Sequence, residues 1–463
     1  SDDIRFSGID KDTLELYRAF YNLRENPIGI QPYVPWRSLN FINMVSICLL
    51  TLGWIASRTR IFKKNPEPVF LGSDVIMDDR DETVWRELIT TKQQVVAICR
   101  NSEQYQSFSQ TFPGWRYDIA TGGFFSFRQA FANAKDTLNQ SFYLHKECSD
   151  LCHMLFLSII KLPFRRSAIK ALLNKYQFQY FWSRDDYNVE HIIRTQELRV
   201  IGAKSLGLLH GIVNAATPWH SSRYVDYDIY YTYGVDLHDR YYKESWAACK
   251  KIRSSGSLGL TRNELYRLKH PRPNNIIFSI YPSLHEDYVF DAVLKTASAF
   301  PDRTIFLSCK PGYCGPGKFR DKIDKILYNQ GLTNLFMPDL KNAPSGGGGR
   351  IYELMLNSQY LFGDGSTVIA EGVQFGLASF NLDLGWPQES FYYRDYPQFC
   401  LHSADEIIAK IRQIDKDPSA YKRKELAGLI NLSGEVVWDT IRRDTAQEPI
   451  GAGRMPHLNF VDP

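Results

Sequence analysis

Twice along this chain, short apolar runs alternate with helix-like segments, and a single break separates the two series. The first series contains "EPVFLGS" (Glu67–Ser73) and "QQVVAICR" (Gln93–Arg100), then a helical region over about Phe125 to Asn174. It continues with "FQYFWSR", a helix from about Asn188 to Val200, "KSLGLLHG" and "VDYDIYYTYG" (Val225–Gly234). Strand-like runs spaced by helices predict a parallel sheet covered by helices. The break is "LKHPRPNN" (Leu268–Asn275), where prolines and asparagines stop regular structure. The alternation then restarts with "NIIFSIY", "RTIFLSCK", "NLFMPD", "QYLFGDG" and "LASFNLDLG" as strands between helices. The pattern therefore predicts an α/β protein with two Rossmann-like domains facing each other across a cleft. Residues 1–268 form the first, with a helical segment over about 1–65. Residues 269–425 form the second, and 426–463 form a helix and tail that pack back on the first.

At 463 residues and 44% hydrophobic, the chain can fill two cores. Its net charge of +4 is too diffuse to imply a nucleic-acid partner, and no zinc-finger spacing is present. Eight scattered cysteines fit a reducing cytoplasm better than a disulfide scaffold. "HKECSDLCH" places His145, Cys148 and Cys152 on one helix face, either as a metal site or as a half-buried stripe. The Ser1 start points to a processed chain or to one module of a longer polypeptide. The most apolar stretch, Phe41–Ala56, precedes the basic run "RTRIFKK". It reads as a buried helix before a solvated loop, or as a helix lying on an anionic membrane surface. "LPFRRSAIKALLNK" (Leu162–Lys175) is a second basic amphipathic candidate.

Chemistry-bearing residues cluster where predicted strands end. Asp185 and Asp186 follow one run, and His210–Gly211 follows the next. Ligands of open α/β sheets bind at that edge, so these groups are expected to face one cleft. Either aspartate alone can be a helix N-cap, but the pair cannot both be the same cap. In the second domain, "GDGSTVIAEGVQFG" (Gly363–Gly376) ends a strand and starts a helix. The helix N-terminus after Gly365, with the Ser366 and Thr367 hydroxyls, suits a phosphate. Glu371, one turn on, is expected to reach ribose hydroxyls. Lys310 follows another strand and suits a phosphate charge, and Ser283 and His285 lie on the same edge.

At these residues the chain resembles the GT-B enzymes of bacterial surface-polysaccharide assembly. These comprise the β-Kdo transferases, the sialic-acid polymer transferases and the teichoic-acid glycerophosphotransferases. The family's His-Gly turn is matched by "LLHG" and its Ser-Ser/Thr…Glu helix start by "GSTVIAEG"; its Lys-Pro-His-Pro appears as "CKPGY". Lys310 and Pro311 match, while Gly312 stands where the family has His. The resemblance covers roughly Phe178 to Gly385.

The resemblance implies a GT-B-like glycosyltransferase with a nucleotide-sugar donor, CMP-Kdo among the choices, on the second domain. It implies a lipid- or saccharide-linked acceptor on the first, in lipopolysaccharide, O-antigen or capsule synthesis. Asp186 or His210 would then supply the base or nucleophile. Lys310 and the helix at Ser366 would offset the leaving nucleotide's charge, so neither metal nor cofactor is expected. The expected location is the cytoplasm, with peripheral contact at the inner face of the membrane. The alternatives are a polyol-phosphate transferase using a cytidine diphosphate donor, a nucleotide-sugar epimerase, and a two-lobed sugar-binding protein without catalysis.

Overall fold

The computed structural model describes residues 37–61, 65–75, 80–88, 94–149, 151, 153–184, 186, 190–211, 225–243, 249–257, 261–268, 271–280, 286–309, 331–338, 349–384, 392–433 and 435–446. Helix α1 (Arg37–Ser57) leads into the short strand β1 (Thr59–Arg60). The first sheet then begins with β2 (Glu67–Asp74), α2 (Arg80–Leu88), β3 (Val95–Cys99), α3 (Ser102–Thr111) and β4 (Arg116–Ile119). Strand β5 (Phe125–Ser126) pairs with β1 alone, in parallel. Three helices follow, α4 (Phe127–Cys148), α5 (His153–Ile160) and α6 (Leu162–Lys175). The sheet resumes with β6 (Tyr176–Ser183), α7 (Glu190–Val200), β7 (Lys204–Leu208), β8 (Ile229–Thr232) and β9 (Lys251–Ser254), before the short helix α8 (Arg262–Arg267).

The second sheet contains β10 (Ile276–Ile280), α9 (Glu286–Ala299), β11 (Ile305–Cys309), β12 (Leu335–Phe336), α10 (Gly349–Leu356) and β13 (Tyr360–Gly363). It is completed by α11 (Thr367–Gln374), β14 (Ala378–Leu382), β15 (Cys400–Leu401) and α12 (Ala404–Lys416). Helix α13 (Val437–Ala446) returns to the first domain. Its Arg442 donates to the Glu87 carbonyl, and Asp444 accepts from Tyr231, Lys251 and Arg253.

The two sheets are built alike. The first runs β4-β3-β2-β6-β7-β8-β9 and the second β12-β11-β10-β13-β14-β15, with every pairing parallel. Counted from each sheet's first strand, both begin 3-2-1-4-5-6, the doubly wound order. The order reverses between β2 and β6 in one sheet and between β10 and β13 in the other. Central strands are buried on both faces, which explains their near-continuous apolar runs.

Two sequence expectations change, and one of two alternatives is favoured. The last helix starts at Val437 rather than near Leu426, where a short 3-10 turn (Arg423–Leu426) stands instead. The stretch Leu162–Lys175 is not a surface helix: α6 buries Leu162, Pro163, Ala168, Ala171 and Leu172, and its Arg166 is paired inside with Glu197 at 2.5 Å. The His145 ring packs edge-on against Phe41 and Phe156, and Cys148 is buried among apolar side chains, while Cys152 lies outside the described residues.

Candidate functional site

The carboxyl edge of the first sheet is a web of fixed polar groups. Arg184, just past β6, is 2% exposed and grips Asp81 at the start of α2 through two hydrogen bonds of 2.9 and 3.0 Å. Trp182 Nε1 donates to the same carboxylate. At the end of β2, Asp74 accepts from Ser183 Oγ at 2.8 Å and pairs with Arg194 at 2.7 Å. Asp186 is fully buried. Its Oδ2 accepts from the His210 backbone N–H and from Tyr230 Oη, both at 2.9 Å. Burial, with the Asp186 carboxylate beside it, raises the Tyr230 hydroxyl well above the usual phenol range, so Tyr230 remains a donor.

This arrangement divides the residues singled out from sequence. His210 is exposed at the end of β7, and its turn is held by Asp186. Asp186 is buried and its Oδ2 is committed to the His210 amide and to Tyr230, a position that suits it to holding the His210 turn. Asp185, Ser283, His285 and Lys310 lie outside the described residues, as does Gly312.

In the second sheet, β13 runs into a tight turn at the switch point. Gly365 has φ +57°, a left-handed conformation that disfavours side chains, and its N–H donates to Asn381 Oδ1. Ser366 is the N-cap of α11, its Oγ accepting from the Val368 N–H at 3.4 Å. Tyr393 Oη donates to the Ser366 carbonyl at 2.7 Å. Gly365, Ser366 and Thr367 are half-exposed, so the first turn of the helix is partly open to solvent. Asp364 directly follows the same strand. A phosphate placed here therefore needs a cation as well as the helix dipole.

The two edges meet. A Cβ added to Gly211 would lie 2.9 Å from Thr367 Oγ1, so the His-Gly turn of one domain touches the helix start of the other. A side chain at Gly211 would have to displace the Thr367 hydroxyl.

Glu371 stands elsewhere than expected. It is 2% exposed, and its Oε1 accepts from Ser257 Oγ at 2.7 Å and Tyr352 Oη at 2.9 Å. Ser257 belongs to the segment after β9, and its N–H donates to Gln374 Oε1 at 2.7 Å. One turn into α11, the glutamate faces the first domain rather than the helix mouth. Through these bonds it ties the segment after β9 to α10 and α11.

Two features escape sequence reasoning. Arg80, half-buried at the start of α2, acts electrostatically on Tyr233 and Tyr352, two buried phenols near Glu371. It brings a positive charge to the meeting of the domains, and its place just beyond β2, at the switch point, was the available signal. The second feature is Asp226-Tyr227-Asp228, an Asp-x-Asp run. Arg199 binds both carboxylates, Asp226 at 2.7 Å and Asp228 at 2.9 Å. Lys250 also pairs with Asp228, at 3.1 Å.

No protein-family model and no curated protein sequence matches the chain. Among solved structures it is similar to the UDP-GlcNAc 2-epimerase from Neisseria meningitidis bound to UDP-GlcNAc. The identity is 12%, the match covers 82% of this chain and 100% of that one, and the TM-score is 0.49. It is similar to the wall teichoic acid polymerase TagF at 11% identity, covering 89% and 99%, with a TM-score of 0.45. It is also similar to sucrose-phosphate synthase from Thermosynechococcus elongatus at 10% identity, covering 82% and 98%, with a TM-score of 0.40. At such scores the likeness carries no assignment of function. The GT-B-like plan rests on the strand orders and on the contact between the two sheet edges.

Proposed function

We propose that this chain is a GT-B-type glycosyltransferase, with a nucleotide-sugar donor on the second domain and an acceptor hydroxyl on the first. The observation that carries the reading is the contact between the His210–Gly211 turn and Thr367, which joins the ligand edges of two doubly wound sheets. An exposed imidazole on one side and a half-exposed helix start on the other are the two halves that transfer needs.

In this reading His210 takes the proton of the acceptor hydroxyl as its oxygen attacks the anomeric carbon. The new carbon–oxygen bond forms as the sugar–phosphate bond breaks, and the nucleotide leaves with the bond's electron pair. The first turn of α11 and Lys310 offset that charge without a metal. Asp186 is a positioning residue: it fixes the backbone of the turn that carries the imidazole. The lipid- or saccharide-linked acceptor of a bacterial surface polysaccharide, met at the cytoplasmic face, belongs to the same proposal.

Thermal unfolding in the presence of CMP, CDP, UDP, GDP and TDP tests the donor half. A nucleotide at 100 times its Kd adds about 2.7 kcal/mol of stability, a clear upward shift. Failure of every nucleotide to shift the transition sinks the proposal. With the right donor, a new glycosidic bond supports it. A new phosphodiester makes the protein a polyol-phosphate transferase, and isomerisation of the donor without acceptor makes it an epimerase.

A further inference from the structure

Helix α1 is predominantly apolar and uncharged between Ser38 and Ser57, yet much of it is exposed on the first domain. One stripe, Asn40, Met44, Cys48, Thr51 and Ile55, is buried. Asn40 Nδ2 donates to the carbonyls of Ser149 and Leu151, and Met44 and Cys48 face α4 to α6. The opposite face carries Phe41, Ile42, Leu49 and Leu50, the last 74% exposed. Helix α4 repeats the arrangement beside it. Phe127, Phe131, Lys135, Leu138, Phe142 and Lys146 follow one another at helical spacing, all exposed, with Phe127 at 77% and Phe131 at 72%.

The helices lie antiparallel. Phe41, near the start of α1, meets His145, near the end of α4, and Trp54, near the end of α1, meets Phe125, just before α4. Their exposed faces therefore form one apolar strip two helices wide. An apolar patch of this size on a folded protein marks something that covers it.

Charge identifies the cover. Between Arg37 and Ser57 helix α1 holds no acidic residue, and Lys135 and Lys146 lie within the α4 stripe. Arg128 is exposed beside Phe127, and Arg60 is exposed just past α1, its guanidinium over the Phe124 ring. The Asp136 carboxylate of α4 pairs with Lys170. An apolar strip set among cations matches an anionic lipid surface, where side chains enter the acyl boundary and lysine stems extend to the headgroups. A twofold contact with a second copy would instead bring like cations together. Nor can α1 cross the bilayer while its other face is packed along the α/β domain, although Ser38–Ser57 is long and apolar enough.

We infer that α1 and α4 together form a docking face by which this protein lies flat on an anionic membrane. The inference is independent of the transfer reaction.

Co-sedimentation of the whole chain with vesicles tests it. The chain should pellet with phosphatidylglycerol–phosphatidylcholine vesicles at low salt, bind pure phosphatidylcholine weakly, and be partly released by salt. The Leu49→Glu/Phe131→Glu double variant, altered only at exposed positions, should keep its melting temperature and lose about ten-fold or more in vesicle partitioning. Lys135→Glu/Lys146→Glu should lose binding to the anionic vesicles in particular. Four outcomes overturn the inference. The first is no pelleting at any ionic strength. The second is equal binding by the apolar-face variant. The third is absence of vesicle binding together with a dimer, detected by light scattering, that the same variant dissolves. If residues 1–36 cover the strip instead, the wild-type chain stays in the supernatant and the double variant melts lower; that too overturns it.

Discussion

At the edge of the first sheet, side chains hold one another: Arg184 grips Asp81, Arg194 and Ser183 hold Asp74, and Tyr230 and the His210 amide share Asp186. At the edge of the second, the fixed groups are backbone: a left-handed glycine tied to Asn381, a capped helix start, and a carbonyl held by Tyr393. The same strand order thus produces two kinds of ligand edge. The first presents an imidazole on a frame of paired charges, which suits the proposed proton transfer. The second presents amide dipoles on a tight turn, which suits the proposed phosphate.

The sharpest way to break this comparison is to remove the imidazole. His210→Ala should lower transfer by about 10²- to 10⁴-fold while leaving nucleotide affinity intact, read by single-turnover rates beside nucleotide titration. Equal losses of rate and affinity would mean that the two edges are not functionally distinct. Next in size is the frame itself. Asp81→Asn leaves the Arg184 guanidinium buried without its carboxylate, which should cost about 3–5 kcal/mol in denaturant unfolding. A cost below about 1 kcal/mol, the range of exposed pairs, would show that the edge is not rigid. The smallest effect concerns the clasp between domains. Glu371→Gln should cost about 1–3 kcal/mol of stability through its hydrogen bonds to Ser257 and Tyr352, with nucleotide binding unchanged. A ten-fold loss of nucleotide affinity at unchanged stability would return Glu371 to the donor.

The alternation of apolar runs made both sheets legible, because strands buried on two faces must be apolar almost throughout. What stayed hidden was short and polar. "RYDI" in β4 and "KIRS" in β9 have no strand pattern of their own, and neighbouring strands make them strands. The His-Gly turn and the Gly-Ser-Thr helix start could be read because turn chemistry is local. The direction of a carboxylate is not local. Asp186 is turned inward by Tyr230, 44 residues on, and Glu371 by Ser257, 114 residues back. Asp226 and Asp228 are claimed by Arg199 in the same way.

Helix α13 belongs in space to the first domain although the whole second domain precedes it in the chain. Trp438 and Ile441 fill the same core as Trp85 and Tyr231, and buried Asp444 joins three partners from β8 and β9. During synthesis, therefore, the first domain emerges with part of its core missing and with Lys251 and Arg253 lacking that carboxylate. Domains usually fold in order as they leave the ribosome. Here the core of the first domain is complete only once α13 has been made. A ribosome that stalls inside the second domain would release an open first half, with Tyr180 and Tyr231 uncovered and available to chaperones or to other unfinished chains.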